Sequence, residues 1–144
     1  MTRAFFAAIL CLAAPAALAE TIACPDLSAA AQVGSCPTPQ ELKWGFTGYC
    51  SDNARMTDKD AVTCTSIEEY KKLKDVALWE AGEFQGYLHC SLPAATVKAS
   101  KPSGVKVDRA GTMNRVTCSY DNDVALSWRT RKSCRAEGTT AVCE

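Results

Sequence analysis

One histidine, His89, serves the whole chain, and that scarcity removes more chemistry than any motif adds. Two-histidine acid–base catalysis and imidazole-rich zinc sites both need partners that are missing. No Cys-X-X-Cys pair occurs, with or without a following His, which excludes a dithiol redox centre and a covalently attached haem. A Cys-Cys-X-X-His-Asp order of the phospholipase kind is missing as well. No Gly-X-Ser-X-Gly elbow presents Ser51, Ser91, Ser119 or Ser127 as a nucleophile beside that histidine. Asp52, Asp58 and Asp60 lie close together but lack the Asp-X-Asn-X-Asp-Gly order and closing Glu of a calcium loop, so they read as a polar surface loop. His89 falls in a predicted strand and reads as structural. No cofactor and no metal are expected.

An excess of either charge is also lacking: sixteen basic residues balance sixteen acidic ones. The balance gives no global attraction to nucleic acid or membrane, and neither is expected as a partner. Long apolar runs are missing after the first residues, so no transmembrane segment is expected in the mature chain. The apolar stretch at residues 4–12 is far shorter than the roughly 20 residues a spanning helix needs. Preceded by Arg3 and followed by Ala17-Leu18-Ala19, it reads as a secretory signal peptide over residues 1–19 that is cleaved before Glu20. Cys11 is then a passenger of the discarded segment. Leu10 stands where a lipoprotein signal would carry a small residue. A periplasmic or secreted location follows as an expectation, with residues 20–144 forming a single disulfide-rich domain. The alanine-rich leader and the absence of an Asn-X-Ser/Thr sequon are compatible with a bacterial source.

What the remaining chain has in abundance is cysteine: Cys24, Cys36, Cys50, Cys64, Cys90, Cys118, Cys134 and Cys143. An even number in a short exported chain reads as a disulfide framework. In the chain-entropy model a bridge closing about 15 residues removes about 3 kcal/mol of unfolded-state freedom. Eight cysteines allow 105 pairings. The even spacing favours a mostly nearest-neighbour scheme: Cys24 with Cys36, Cys50 with Cys64, Cys90 with Cys118, and Cys134 with Cys143.

Residues 20–40, with Pro25, Pro37 and Pro39, read as an irregular arm with room for a short helical turn over 26–32. Ser66-Ile67-Glu68-Glu69 has the order of a capping box, acids precede Lys71, Lys72 and Lys74, and Ile67, Tyr70 and Leu73 recur at helical spacing. A helix is expected over 66–75. Beyond it the period shortens to two. Residues 76–79, 84–92, 94–99, 104–108, 114–120 and 124–130 read as strands, with a hairpin turn at Tyr120-Asp121-Asn122-Asp123-Val124. In the second arm Val124, Leu126 and Trp128 share one face and Arg129 and Arg131 the other. The fold class expected is α+β: a small antiparallel sheet with one packed helix, stapled by disulfides. A Gly, Phe, Gly, Tyr order occurs at residues 45–49 and again at 82–87, each copy after a tryptophan, and reads as two aromatic-rich strands whose glycines allow close packing, with a duplicated element as the alternative.

Charge is unevenly spread along the chain. Residues 20–97 hold eleven acids and six bases, residues 98–135 three acids and nine bases. Arg109, Arg115, Arg129, Arg131, Lys132 and Arg135 are therefore candidate partner-binding residues that could gather on one sheet face and attract an acidic protein, a phosphorylated glycan or an anionic membrane surface. A solvated strand face that discourages edge pairing would use the same residues. Glu80, Glu83 and Asp121 are candidates for a carboxylate-dependent hydrolase of cell-wall glycans, the alternative reading.

Cys24-Pro25, Cys118-Ser119-Tyr120 opening a hairpin and Cys134 beyond it resemble a group of small, uncharacterised, cysteine-rich bacterial periplasmic domains, best over the second half of the chain. That resemblance implies compartment and fold; no activity is established for the group, and no catalytic residue is carried over. The leading expectation is a non-enzymatic binding protein acting as an inhibitor, an immunity factor or an accessory of an envelope complex. Its partner would be a protein or another anionic envelope component.

Overall fold

Period-two alternation over the second half of the chain builds one large antiparallel sheet. The computed structural model describes residues 19–57 and 61–144, so the expected signal peptide lies outside the described residues but for Ala19. Six strands join in the order β2-β3-β4-β7-β6-β5: β2 (Ala31–Gln32), β3 (Val76–Ala81), β4 (Phe84–His89), β7 (Ala125–Thr130), β6 (Met113–Tyr120) and β5 (Pro102–Ala110). A second sheet of three short strands runs β1 (Glu20–Ala23), β9 (Thr140–Cys143), β8 (Cys134–Glu137), and all pairings in both sheets are antiparallel. Three hairpin loops have two residues, 82–83, 111–112 and 138–139, and each opens on a glycine with φ near +60°, which matches the right-handed twist of the flanking strands. The predicted β6–β7 turn holds Asn122 and Asp123 in the same left-handed region, the two residue types that tolerate it best.

Each strand of the large sheet sends alternate side chains to an inner face. Trp79, Ala81, Phe84, Leu88, Val116, Cys118, Tyr120, Val124 and Leu126 are all buried there. The small sheet contributes Ala141 and Cys143 to the same core. A 3-10 turn (Leu27–Ala29) adds Leu27 and packs on helix α4 (Ala94–Ala99), which adds Val97. Tyr120 donates its hydroxyl to the Pro25 carbonyl at 2.8 Å, fastening the N-terminal arm, and burial pushes its pKa up to about 12, so the hydroxyl stays protonated.

Between β2 and β3 the chain makes a helical excursion. Helix α1 (Pro39–Tyr49) starts at a complete capping box: Thr38 accepts from the Glu41 N–H and Glu41 accepts from the Thr38 N–H at 2.7 Å, with Pro39 in the first turn. After α2 (Asn53–Thr57), helix α3 (Ile67–Lys74) begins at Ser66 as the sequence predicts. Phe46 and Tyr49 of α1 meet Tyr70 of α3 with ring centroids 5.7 and 5.9 Å apart. A side chain at Gly45 would collide with the Tyr70 hydroxyl, so glycine sets how closely the two helices approach. Leu73 is exposed, so the face that packs is narrower than the predicted one. No helix among the described residues is long and apolar enough to cross a membrane.

The α+β class with antiparallel sheets and four disulfides is thus established, with four α-helical segments among the described residues in place of one. Several local expectations are overturned. Residues 94–99 are helical because Pro93 sets the entry geometry and a single buried residue, Val97, suffices to dock one turn. Residues 45–49 are helical because the Thr38 cap propagates through them, so the two glycine-aromatic strings are unrelated elements. The N-terminal arm forms β1 and β2 by pairing with strands distant in sequence. Cys50–Cys64 and Cys134–Cys143 pair as neighbours, but Cys24 joins Cys118 and Cys36 joins Cys90. The nearest-neighbour scheme fails there because the arm crosses the inner face of the large sheet before the excursion begins.

Two outcomes follow. Non-reducing peptide mapping should recover the Cys24–Cys118 and Cys36–Cys90 crosslinked peptides. The Cys24→Ser/Cys118→Ser double variant should lose up to about 4 kcal/mol in denaturant unfolding, against about 2.6 kcal/mol for Cys134→Ser/Cys143→Ser, because the loop it releases is longer even with the nested Cys36–Cys90 bridge intact; recovery of a Cys24–Cys36 peptide would contradict the structure. Backbone N–H donation from Ser28 and Thr38 holds the Asp26 and Glu41 carboxyls below their ordinary values of 3.8 and 4.5. For groups with lowered pKa the stabilisation is complete above those values and is lost as pH falls through the folded ones. The denaturation midpoint should therefore drop as pH falls from about 5 through and below the ordinary carboxylate range, and the Asp26→Asn/Glu41→Gln variant should show a shallower fall.

Candidate functional site

The inner face of the large sheet is filled, while its outer face carries a trough of about 880 Å³ bordered by residues from β3 to β7. Strand register sorts those residues into three transverse rows. In the first, Leu78 of β3 stands opposite Tyr87 of β4, whose side chain is 70% exposed. The second crosses five strands through Glu80, Gln85, Ser127, Thr117 and Lys106, each directly opposite the next. In the third row Arg129 of β7 stands opposite Arg115 of β6, which stands opposite Asp108 of β5. Successive rows are two residues apart, about 7 Å, so the trough runs roughly 13 Å from the aromatic to the basic end.

A close contact makes this surface continuous. The β4–β7 pairing joins strands that are not consecutive, and a Cβ on Gly86 would strike the Ala125 carbonyl; glycine lets the two halves of the sheet meet. Within the rows, Gln85 Nε2 donates to Glu80 Oε1 at 2.9 Å. Asp108 is shared by Lys106 at 2.8 Å and Arg115 at 3.5 Å. The hydrogen bond from Lys106 is the main cause that holds the Asp108 carboxyl below its ordinary range, and Arg115 adds to it. Arg129 has no ion-pair partner among the described residues. It faces another arginine across the ladder, an arrangement that costs stability wherever like charges stand directly opposite.

The six predicted basic residues do not gather on one face. Arg115 and Arg129 border the trough and, with Arg109, an adjoining hollow of about 490 Å³ near the β5–β6 turn. Arg109, Arg131 and Arg135 border a separate hollow of about 450 Å³ between the free edge of β5 and β8. Lys132 is ion-paired with Glu20, and Arg135 with Glu137 at 2.8 Å and Glu144 at 3.4 Å. The division has a simple cause: Arg131 and Lys132 lie past the end of β7, where strand alternation no longer directs them, and Arg135 belongs to β8 of the small sheet. The sequence gives no functional signal at Lys106, Asp108 or Thr117, and it marks Tyr87 only within a repeated aromatic string and Ser127 only as a serine without a nucleophile elbow. Alternation alone would have placed them on polar strand faces, but their meeting depends on the β4–β7 pairing.

The three candidate hydrolase acids are not brought together. Glu83 borders the trough, Glu80 is engaged by Gln85, and Asp121 sits in the β6–β7 turn at the opposite end of β7 from Arg129. His89 Nδ1 accepts the Ser91 backbone N–H at 3.2 Å and so also takes the Ser91 hydroxyl, 2.7 Å away, as a donor; both contacts close a local turn. Asp52 accepts the Ala54 N–H at the start of α2, while Asp58 and Asp60 lie outside the described residues.

Comparison with protein-family models, with curated proteins and with solved structures finds no match to this chain.

Removing one member of a like-charge pair should relieve the folded protein. Arg129→Gln is expected to leave the thermal midpoint unchanged or raise it, by up to about 0.5 kcal/mol in stability at low salt, with the gain fading as salt screens the pair. A loss above about 1 kcal/mol in urea unfolding would show instead that Arg129 supports the fold.

Proposed function

We propose that this chain is a non-enzymatic binding protein of the periplasm or the exterior that recognises an anionic partner on the outer face of its large sheet. The observation that carries this reading is the Arg115–Arg129 juxtaposition on an open, solvent-facing surface. Two guanidiniums opposed across a ladder repel each other, and one carboxylate or phosphate placed between them converts repulsion into charge-assisted hydrogen bonding. The Asp108 carboxylate satisfies only the Arg115 side of the pair.

The rest of the molecule supports such a role. A sheet anchored by the Cys24–Cys118 and Cys36–Cys90 crosslinks loses little freedom when it binds, so more of the contact energy appears as affinity. Disulfides persist in oxidising compartments. Cleavage of a signal peptide after Ala19 would leave β1, which begins at Glu20, intact. The resemblance to periplasmic domains favours the same compartment. An inhibitor, an immunity factor and an envelope accessory all use a rigid surface of this kind.

The test uses the mature protein, residues 20–144, on a carboxylate-bearing matrix at neutral pH. Its formal charge is about minus one, so retention reports a local patch. Wild type should be retained and released by moderate salt. Arg115→Gln/Arg129→Gln should pass through, whereas Lys43→Gln/Lys98→Gln, with the same change in net charge, should be retained. Equal behaviour of the two double variants, or no retention of wild type, would remove the reading.

A further inference from the structure

The chemistry along the trough is graded, and the gradient specifies more than a preference for anions. Resting on the reading of the sheet face as an anion-binding surface, we infer that the trough takes a short oligosaccharide bearing a single acidic group. Tyr87 serves as the stacking platform and Arg115 with Arg129 as the clamp for the acid.

Three observations select this class over an acidic peptide. The cations cluster toward one end: Arg115 and Arg129 face each other in the third row, Lys106 of the middle row reaches Asp108 beside them, and no basic residue borders the trough at the Leu78–Tyr87 end. A peptide with several carboxylates would need cations at intervals along its path. Acids also line the trough or sit in its rows, namely Glu80, Glu83 and Asp108; they repel a polyanion but accept hydrogen bonds from sugar hydroxyls. The middle of the path is made of Gln85, Ser127 and Thr117, with Ser119 two residues from Thr117 on the Leu78–Tyr87 side; these side chains both donate and accept, as a ligand covered in hydroxyls requires. At the far end Tyr87, mostly exposed beside Leu78, offers an apolar surface to the C–H face of a pyranose ring. The roughly 13 Å from Tyr87 to Arg129 suits two or three sugar units.

Titration calorimetry with three probes separates the outcomes: a trisaccharide ending in glucuronic acid, its counterpart ending in glucose, and hexaglutamate. The acidic trisaccharide should bind the mature protein, and the neutral one at least about tenfold more weakly, a difference of about 1.4 kcal/mol. Tyr87→Ala and Arg129→Gln should each weaken the acidic trisaccharide by about tenfold or more; unchanged denaturant unfolding of both variants excludes a folding defect as the cause. Hexaglutamate binding as tightly as the acidic trisaccharide, with Tyr87→Ala without effect, would overturn the saccharide assignment and leave the anion-binding reading standing. Failure of all three probes, together with loss of retention on the carboxylate matrix, would overturn both.

Discussion

The bridge between Cys24 and Cys118 is the constraint from which the two-faced character of this protein follows. Cys118 is fully buried within β6, and Cys24 directly follows the short strand that pairs with β9, so one covalent bond fixes the small sheet over the inner face of the large one. Tyr120, two residues on in β6, repeats the attachment through the Pro25 carbonyl. With that side covered, every second residue of β3 to β7 faces solvent by geometric necessity, and the outer surface is free to carry polar and charged groups without opening a gap in the core.

That freedom is used unevenly. The row through Glu80, Gln85, Ser127, Thr117 and Lys106 is a band of mutually compatible polar groups, whereas the next row sets two arginines against each other with one aspartate beside them. Sequences that fold well tend to make local choices agree with the whole, and departures concentrate where a surface is kept for something other than stability. The satellite of α1 and α3 shows the contrasting case. There Arg55 and Lys74 lie 4.0 and 4.8 Å from the ring of Tyr49, so exposed cations are settled within the protein itself.

The sequence disclosed the elements governed by local rules. Ser66 and its following acids marked α3, and alternation with flanking turn residues marked β3, β4, β6 and β7, including the left-handed Asn122-Asp123 turn. At Thr38-Pro39-Gln40-Glu41 the capping box outweighs the strand-like pattern of the aromatic residues that follow, and α1 runs through them. The remaining elements were illegible for a different reason. β1, β2 and the Cys24 and Cys36 bridges exist only because distant segments come together, and no spacing within the arm encodes those partners. The candidate site shares that difficulty: Arg115 and Arg129 were visible as basic residues, but Tyr87 reached their surface through a strand pairing that skips over β5 and β6.

The nesting of Cys36–Cys90 inside Cys24–Cys118 also bears on how the molecule is made. As the polypeptide is synthesised, Cys36 follows Cys24 long before Cys90 or Cys118 exists, and where a dithiol oxidant is present the two can be joined early, each transferring one electron and releasing one proton. A chain joined in order of appearance therefore carries a wrong crosslink that must be undone by thiolate attack. The nested pattern is reached either by such exchange or by bridges that close only once residues 24 to 118 are all present.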